Sequence, residues 1–178
     1  MSFDLIADYK KYSFVPKSTL RAMVFVAIWP AGRSDLVILP SGFKPNSATC
    51  IENYLKPLLA SLPPYQNLKK IIFHQDHAPG HLIRKAYPFL EEILPLFVRA
   101  DETSHNSPDP NPLDYSLWRI LKEKLHKYDL VPNFEWLAEI LQKEWASIPQ
   151  QVIRDSCKSW LRRVRRVERT NGYYILIY

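Results

Sequence analysis

The first clear pattern in the chain is a pair of short apolar runs separated by a turn. Residues 22–29 read AMVFVAIW and residues 35–40 read DLVILP, and the PAGRS between them contains turn-forming residues. Short apolar runs that contain β-branched residues and flank a Gly-containing turn are typical of a β-hairpin. We therefore predict two antiparallel strands in this region.

A helical pattern follows the hairpin. Apolar residues recur at helical spacing over residues 51–59, and Asn46 or Ser47 is placed to cap the first turn. Residues 68–73, LKKIIF, then predict a short strand that ends just before a loop containing Pro and Gly. The order so far is hairpin, helix, strand.

The middle of the chain repeats the helix-to-strand order. Residues 81–94 have helical spacing, although Pro88 is expected to kink or weaken that helix. Residues 95–100, PLFVRA, predict a returning strand. Residues 101–112, DETSHNSPDPNP, are polar and rich in proline, and they predict a loop without regular structure.

Three amphipathic helices are predicted for the C-terminal half. They are LDYSLWRILKEKL from Leu113, NFEWLAEILQKEWASI from Asn133, and PQQVIRDSCKSWLRRVRRVERT from Pro149. The whole order of elements predicts an α/β domain with a mixed sheet and a helical C-terminal half.

The composition limits the class of protein. A chain of 178 residues, 47% hydrophobic and 13% aromatic, has the size and content of one globular domain. No apolar run approaches the roughly 20 residues that span a bilayer, and the first residues lack the apolar core of a signal peptide. Cys50 and Cys157 are far apart and indicate no disulfide framework. We expect a soluble intracellular domain.

The net charge of +6 is concentrated near the C-terminus. Seven basic residues and two acidic ones lie between Arg154 and Arg169, so the rest of the chain is almost neutral. A basic segment on a near-neutral body indicates a polyanionic partner. A solvated helix face is the alternative interpretation.

Two aspartates occupy positions that suit metal chemistry. Asp76 follows a predicted strand, Asp114 lies in the first turn of a predicted helix, and 37 residues separate them. Clustered carboxylates are the ligands that Mg²⁺ and Mn²⁺ prefer, and such ions promote phosphodiester chemistry. The alternative is that Asp76 forms a turn and Asp114 caps a helix.

Histidines in the same segment suggest a third possibility. His74, His77 and His81 surround Asp76, and imidazoles are common zinc ligands. Because these histidines extend across a strand end and a turn, their spacing does not require them to converge on one ion. Zinc binding stays open at this point.

Two motifs resemble a known family. FHQDHAPGH, from Phe73, followed by SPDPNPLDYSLW, from Ser107, is similar to the second and third acidic motifs of mariner-superfamily transposases. Position by position, Asp76 matches the second acid, Asp114 the third, and Asp109 a loop residue that is not a metal ligand. The resemblance covers roughly residues 14–174. His77 stands where the family has Asn, and Pro110 where it usually has Leu.

The resemblance implies a fold and an activity. It implies a ribonuclease-H-like mixed sheet with flanking helices, Mg²⁺ or Mn²⁺ held by Asp76 and Asp114, and metal-dependent cutting and joining of DNA. DNA would be the partner, together with a second transposase chain, in the nucleus, with no membrane and no small-molecule cofactor. The phosphate-binding residues would be the arginines of the basic helix: Arg162, Arg163, Arg165 and Arg166.

The N-terminus departs from the family. Its first acid lies on a central strand well before the MVFVAIW-like strand, and only 22 residues precede Met23 here. Asp4 and Asp8 lack the family's S-D-E-like surroundings, and the 71 residues between Asp4 and Asp76 are fewer than usual. We therefore expect the first central strand and the helix-turn-helix DNA-binding region to be absent.

That expectation leaves three structural outcomes and two functions. The neighbouring strands could close up, the N-terminal DLIADYKKYSF could fill the gap, or the fragment could fold poorly. The chain would then be one partial catalytic domain of a cut-and-paste transposase, with doubtful activity alone. The alternative function is a non-catalytic, transposase-derived module that binds nucleic acid.

Overall fold

The computed structural model describes residues 3–13, 20–40, 47–62, 71–75, 86–94, 96–99, 111–128 and 131–169. Six strands form one mixed sheet: β1 Phe3–Ser13, β2 Arg21–Trp29, β3 Gly32–Arg33, β4 Val37–Pro40, β5 Ile71–Gln75 and β6 Leu96–Val98. Their order is β3-β2-β1-β5-β6, and β4 also pairs with β2. β2 is antiparallel to β1, β3 and β4, whereas β5 is parallel to β1 and β6.

The sheet contains its first central strand, so the expectation that this strand is absent is wrong. β1 lies between β2 and β5, with Ala7 opposite Ala27 on one side and opposite Gln75 on the other. The N-terminal segment therefore fills the gap, which was one of the three outcomes considered. Pattern reading missed the strand because FDLIADYKKYS is interrupted by charged residues and does not resemble a continuous apolar run.

Helical segments lie on both sides of the sheet. They are α1 Ser47–Cys50, the π-helical turn π1 Ile51–Leu55, α2 Lys56–Ala60, α3 Tyr87–Ile93, the π-helical turn π2 Leu113–Leu117, α4 Trp118–Leu125, α5 Phe134–Ala146 and α6 Gln150–Arg169. The three predicted C-terminal helices and the hairpin of β2 with β4 are confirmed. Within the described residues, no helix is both long and apolar enough to span a bilayer.

The predicted effect of Pro88 is not tested, because residues 81–85 of the predicted helix lie outside the described residues. The described helix α3 begins at Tyr87, and Pro88 lies in its first turn. Proline is favoured there because the first N–H groups of a helix have no intrahelical partner. Residues 101–110 of the loop predicted for residues 101–112 lie outside the described residues, as does the predicted capping residue Asn46.

Strand β2 is packed on both of its faces. Ala22, Val24, Val26 and Ile28 of β2 pack with the helices α4, α5 and α6 in one buried cluster. Ala27 and Trp29, which point to the other face, pack with residues of α2, α3 and β5. Alternation of side chains along β2 thus separates two helical layers, as a two-faced sheet requires.

Candidate active site

Asp114 lies at the start of a helix, as predicted, in the first turn of π2. Asn111 orders that start: its Oδ1 accepts a hydrogen bond from the Leu113 N–H at 2.9 Å, and its backbone oxygen accepts from the Asp114 N–H at 3.0 Å. Asn111 Nδ2 donates to Asp114 Oδ2 at 3.3 Å. Asp114 is half-buried, and Asn111 orients its carboxylate.

The turn that carries Asp114 is wider than an α-helical turn. The Trp118 N–H donates to the Leu113 oxygen, five residues earlier, which is the π-helical pattern. Single π-helical turns are rare in proteins, but those that do occur are often found at functional sites. No sequence signal predicted this one.

Helix α6 packs against the same turn through hydroxyl groups. The Tyr115 hydroxyl donates to the Ser156 oxygen at 2.5 Å and shares a hydrogen bond with Ser159 Oγ. Ser156 Oγ donates to Ser116 Oγ at 3.0 Å. Burial raises the pKa of the Tyr115 phenol. The hydrogen bond with Ser159 and the positive charge of Arg163 lower this pKa, but their effect is smaller. The phenol is therefore protonated at neutral pH and able to donate.

The end of β5 meets α6 as well. The His74 ring packs edge-on against Trp160, with the ring centroids 4.7 Å apart. His74 precedes Asp76 by two residues in the sequence, and Tyr115 follows Asp114 directly. Residues 156–163 of α6 thus contact both chain segments that lead to the predicted acids.

Several predicted site residues lie outside the described residues: Asp76, His77, His81 and Asp109. Among the residues that the structure describes, no group of three or more His, Cys, Asp or Glu side chains could hold a metal ion. The zinc alternative needs His77 and His81, so it stays a prediction.

The register of β1 makes a discounted residue a candidate. Ala7 is paired with Gln75 of β5, and in the sequence each of these two residues is followed by an aspartate, Asp8 and Asp76. Asp8 is itself paired with Val26 of β2. The sequence contained Asp8 but not the register that makes it a candidate.

The four predicted DNA-binding arginines are not equivalent. Arg162, Arg165 and Arg166 are exposed, whereas Arg163 is half-buried with its guanidinium 3.6 Å from the centre of the Tyr115 ring. At about 100° per residue, the exposed ones share a helix face with three more cations. This basic face consists of Arg154, Lys158, Arg162, Arg165, Arg166 and Arg169.

The basic face is long and fully exposed. It extends over about 22 Å at the α-helical rise per residue. All six of its side chains are exposed. Within the described part of the chain, no ion pair involves Arg154, Lys158 or Arg162.

Comparison with known proteins shows the fold. No family profile and no curated protein matches the chain. The Mos1 mariner transposase catalytic domain is 22% identical, with a TM-score of 0.73 over 97% of this chain and 84% of that one. The same domain with raltegravir and Mn gives 21% identity and a TM-score of 0.75 over 97% and 84%.

A longer Mos1 chain, in the mariner paired end complex with Mn, is 19% identical with a TM-score of 0.77. The match covers 97% of this chain and 56% of that one, so this chain spans just over half the longer protein. The predicted ribonuclease-H-like α/β fold is confirmed. This chain has the fold of the Mos1 mariner transposase catalytic domain.

Proposed function

We propose that this chain performs the DNA-cleaving and strand-joining chemistry of a cut-and-paste transposase, by phosphoryl transfer that depends on Mg²⁺ or Mn²⁺. Its acids are Asp8, Asp76 and Asp114. The observation that supports this proposal is the central position of β1, because its pairing of Ala7 with Gln75 leads to an aspartate next along both strands. Without that strand, a first acid would be lacking.

The residues fit a hard divalent cation. Carboxylate oxygens are the preferred ligands of Mg²⁺ and Mn²⁺, and Asn111 orients one such oxygen of Asp114. A bound ion would activate the attacking oxygen and stabilise the leaving oxygen of a phosphodiester. The chain's own part is to hold Asp114 on the packed turn π2 and Asp8 on the central strand.

The basic face of α6 supports DNA as the substrate. Six exposed cations over about 22 Å suit a row of phosphates, which bind Lys and Arg without sequence readout. The Mos1 structures with this fold include a strand transfer complex. By the same likeness we propose a nuclear location and a second copy of the chain as a partner on DNA.

The catalytic proposal is tested by nicking of supercoiled plasmid in Mn²⁺. We expect Asp8→Asn and Asp114→Asn each to lower the rate at least about a hundredfold, since each removes a charged metal ligand. Asp4→Asn is the matched control, because Asp4 lies in the same strand but opposite Ile72, three residues before the end of β5. A nicking rate of Asp8→Asn equal to that of the wild type would refute the role of Asp8.

A non-catalytic DNA-binding module is the second candidate function. The basic face favours it, because that surface lies wholly within the described residues and needs no metal. A wild-type chain that binds DNA but never nicks it, with Mn²⁺ or Mg²⁺, would establish this function instead.

The salt dependence of DNA binding tests the basic face. Replacing Arg162, Arg165 and Arg166 by Gln should reduce the slope of log affinity against log salt by about 2.7, or 0.9 for each lost phosphate contact. Arg119→Gln, on the exposed side of α4, is the control and should leave the slope unchanged. Equal slopes for the wild type and the triple variant would exclude this face.

A further inference from the structure

We propose that Tyr115 and Arg163 form a latch that positions the Asp114 carboxylate for metal binding, and that Arg163 serves this purpose instead of contacting DNA phosphates. The proposal rests on the proposed metal role of Asp114. It makes Arg163 a positioning residue and separates it from the basic face, although the sequence motif groups it with the other three arginines.

The latch is built from three contacts between α6 and π2. The Tyr115 hydroxyl is bonded to the Ser156 oxygen at 2.5 Å and to Ser159 Oγ, which holds the far end of the ring. The guanidinium of Arg163 lies 3.6 Å from the ring centre and covers its face. Tyr115 is therefore fixed at both its edge and its face.

Fixing Tyr115 also fixes Asp114. The two residues are adjacent in a single π-helical turn, closed by the hydrogen bond from the Trp118 N–H to the Leu113 oxygen. Rotation of that turn would displace the Asp114 carboxylate from Asn111 Nδ2, which lies 3.3 Å away. Groups that orient metal ligands commonly alter metal affinity by 10-fold or more.

The position of Arg163 argues against a phosphate role. Its side chain is half-buried, whereas the six residues of the basic face are exposed. Its planar group is occupied by the Tyr115 ring, an interaction that favours Arg over Lys. The ring covers one face of the guanidinium, and the half-burial of Arg163 limits the access of a phosphate to the N–H groups at its edge.

A charge effect and a positioning effect of Arg163 would change the Mn²⁺ affinity in opposite directions. Removing a positive charge near a metal site should strengthen cation binding by Coulomb's law. Loss of positioning should weaken it. The direction of the change in Mn²⁺ affinity therefore separates positioning by Arg163 from a simple charge effect.

The first experiment measures amide hydrogen exchange over residues 111–121 in the wild type, Arg163→Gln, Arg163→Lys and Tyr115→Phe. The latch predicts at least about tenfold faster exchange for Arg163→Gln, and faster exchange for Tyr115→Phe, which keeps the ring but loses both hydroxyl contacts. Arg163→Lys should lie between, since it keeps the charge but not the planar stack. Unchanged exchange in Arg163→Gln would overturn the latch.

The second experiment measures Mn²⁺ affinity and the salt slope of DNA binding on the same variants. Arg163→Gln should bind Mn²⁺ about tenfold more weakly with an unchanged salt slope. Arg162→Gln, one position away and exposed, should show the opposite result: the same Mn²⁺ affinity and a slope reduced by about 0.9. Tighter Mn²⁺ binding, or a reduced slope, in Arg163→Gln would overturn the proposal.

The two experiments also separate this proposal from the proposed function. If the wild-type chain binds no Mn²⁺, the metal role of Asp114 fails, and hydrogen exchange alone decides whether the latch orders π2. If Mn²⁺ binds and Arg163→Gln leaves its affinity unchanged, the metal role stands and the latch fails.

Discussion

At the residue scale, Glu144 shows how one buried charge joins two helices. It is only 2% exposed, and Lys127 Nζ lies 2.6 Å from its Oε1. The Tyr128 hydroxyl donates to the same oxygen at 2.7 Å. The hydrogen bond from Lys127 is the largest cause that lowers the pKa of Glu144, and Tyr128 adds to it, while burial acts in the opposite direction. Lys127 and Tyr128, which follow the end of α4, thus connect that helix to α5 through Glu144.

The lowered pKa predicts how stability depends on pH. Because the folded pKa of Glu144 lies below its usual value of 4.5, its stabilisation is complete above about pH 4.5 and is lost as pH falls through the folded pKa. Glu144→Gln should therefore lose about 1–3 kcal/mol at neutral pH, and the difference from the wild type should shrink in acid.

Urea unfolding between about pH 7 and pH 3 measures this difference. Glu139→Gln, an exposed position on the same helix, is the control and should track the wild type. A difference between Glu144→Gln and the wild type that is constant with pH would contradict the assignment.

At the element scale, Arg33 ties the hairpin to the end of α5. Its Nη1 donates to the Ile148 oxygen at 2.7 Å, and its Nη2 donates to the Ala146 oxygen at 2.8 Å. Carbonyls at a helix C-terminus have no intrahelical partner, and a cation there also suits the helix dipole. The guanidinium lies 5.5 Å from the centre of the Trp145 ring. Arg33 thus contributes to the docking of α5 on the sheet.

Loss of the two hydrogen bonds of the Arg33 guanidinium, which act as a fork, should weaken the packing of α5 on the sheet. We expect Arg33→Met to cost about 1.5–3 kcal/mol, the usual worth of hydrogen bonds to a charged group. Arg33→Lys should recover only part of that loss, because a single ammonium cannot reproduce the planar fork. Equilibrium denaturation measures the changes, and Arg119→Met on the exposed side of α4 serves as the control. Equal stability of Arg33→Met and the control would show that the fork is not needed.

At the scale of the whole molecule, β1 connects the two halves of the sheet. Eight of its residues pair with β2 and five pair with β5. Unpaired buried backbone groups cost about 1–3 kcal/mol each, against a total stability of roughly 5–15 kcal/mol. The central strand is therefore essential to the sheet, although its sequence pattern is weak.

Proline at Ala7 tests this role directly. Ala7 is paired on both sides, with Ala27 and Gln75, and proline removes a ladder donor and is confined to edge strands. We expect Ala7→Pro to abolish cooperative unfolding in a circular-dichroism melt. Ala7→Gly, which keeps the N–H group, should lose only about 0.5–1 kcal/mol. A cooperative melt of Ala7→Pro near the wild-type midpoint would mean that the ladder at Ala7 does not hold the sheet together.

The sequence by itself determined the features that depend on local periodicity. The amphipathic helices α4, α5 and α6 and the hairpin of β2 with β4 were readable, because spacing of 3.6 or 2 residues is a property of neighbouring positions. Asp114 at a helix start and the basic character of α6 were readable for the same reason. The acidic motifs also indicated the fold through their resemblance to a family.

Only the tertiary structure decided which distant segments meet. The pairing of Ala7 with Gln75 joins residues 68 positions apart in the chain, and the stacking of Arg163 on Tyr115 joins residues 48 positions apart. Strand register and side-chain docking are set by packing across those distances, and neither leaves a periodic signal in one segment. That is why Asp8 was discounted and why four arginines that looked alike in the sequence divide into a basic face and a latch.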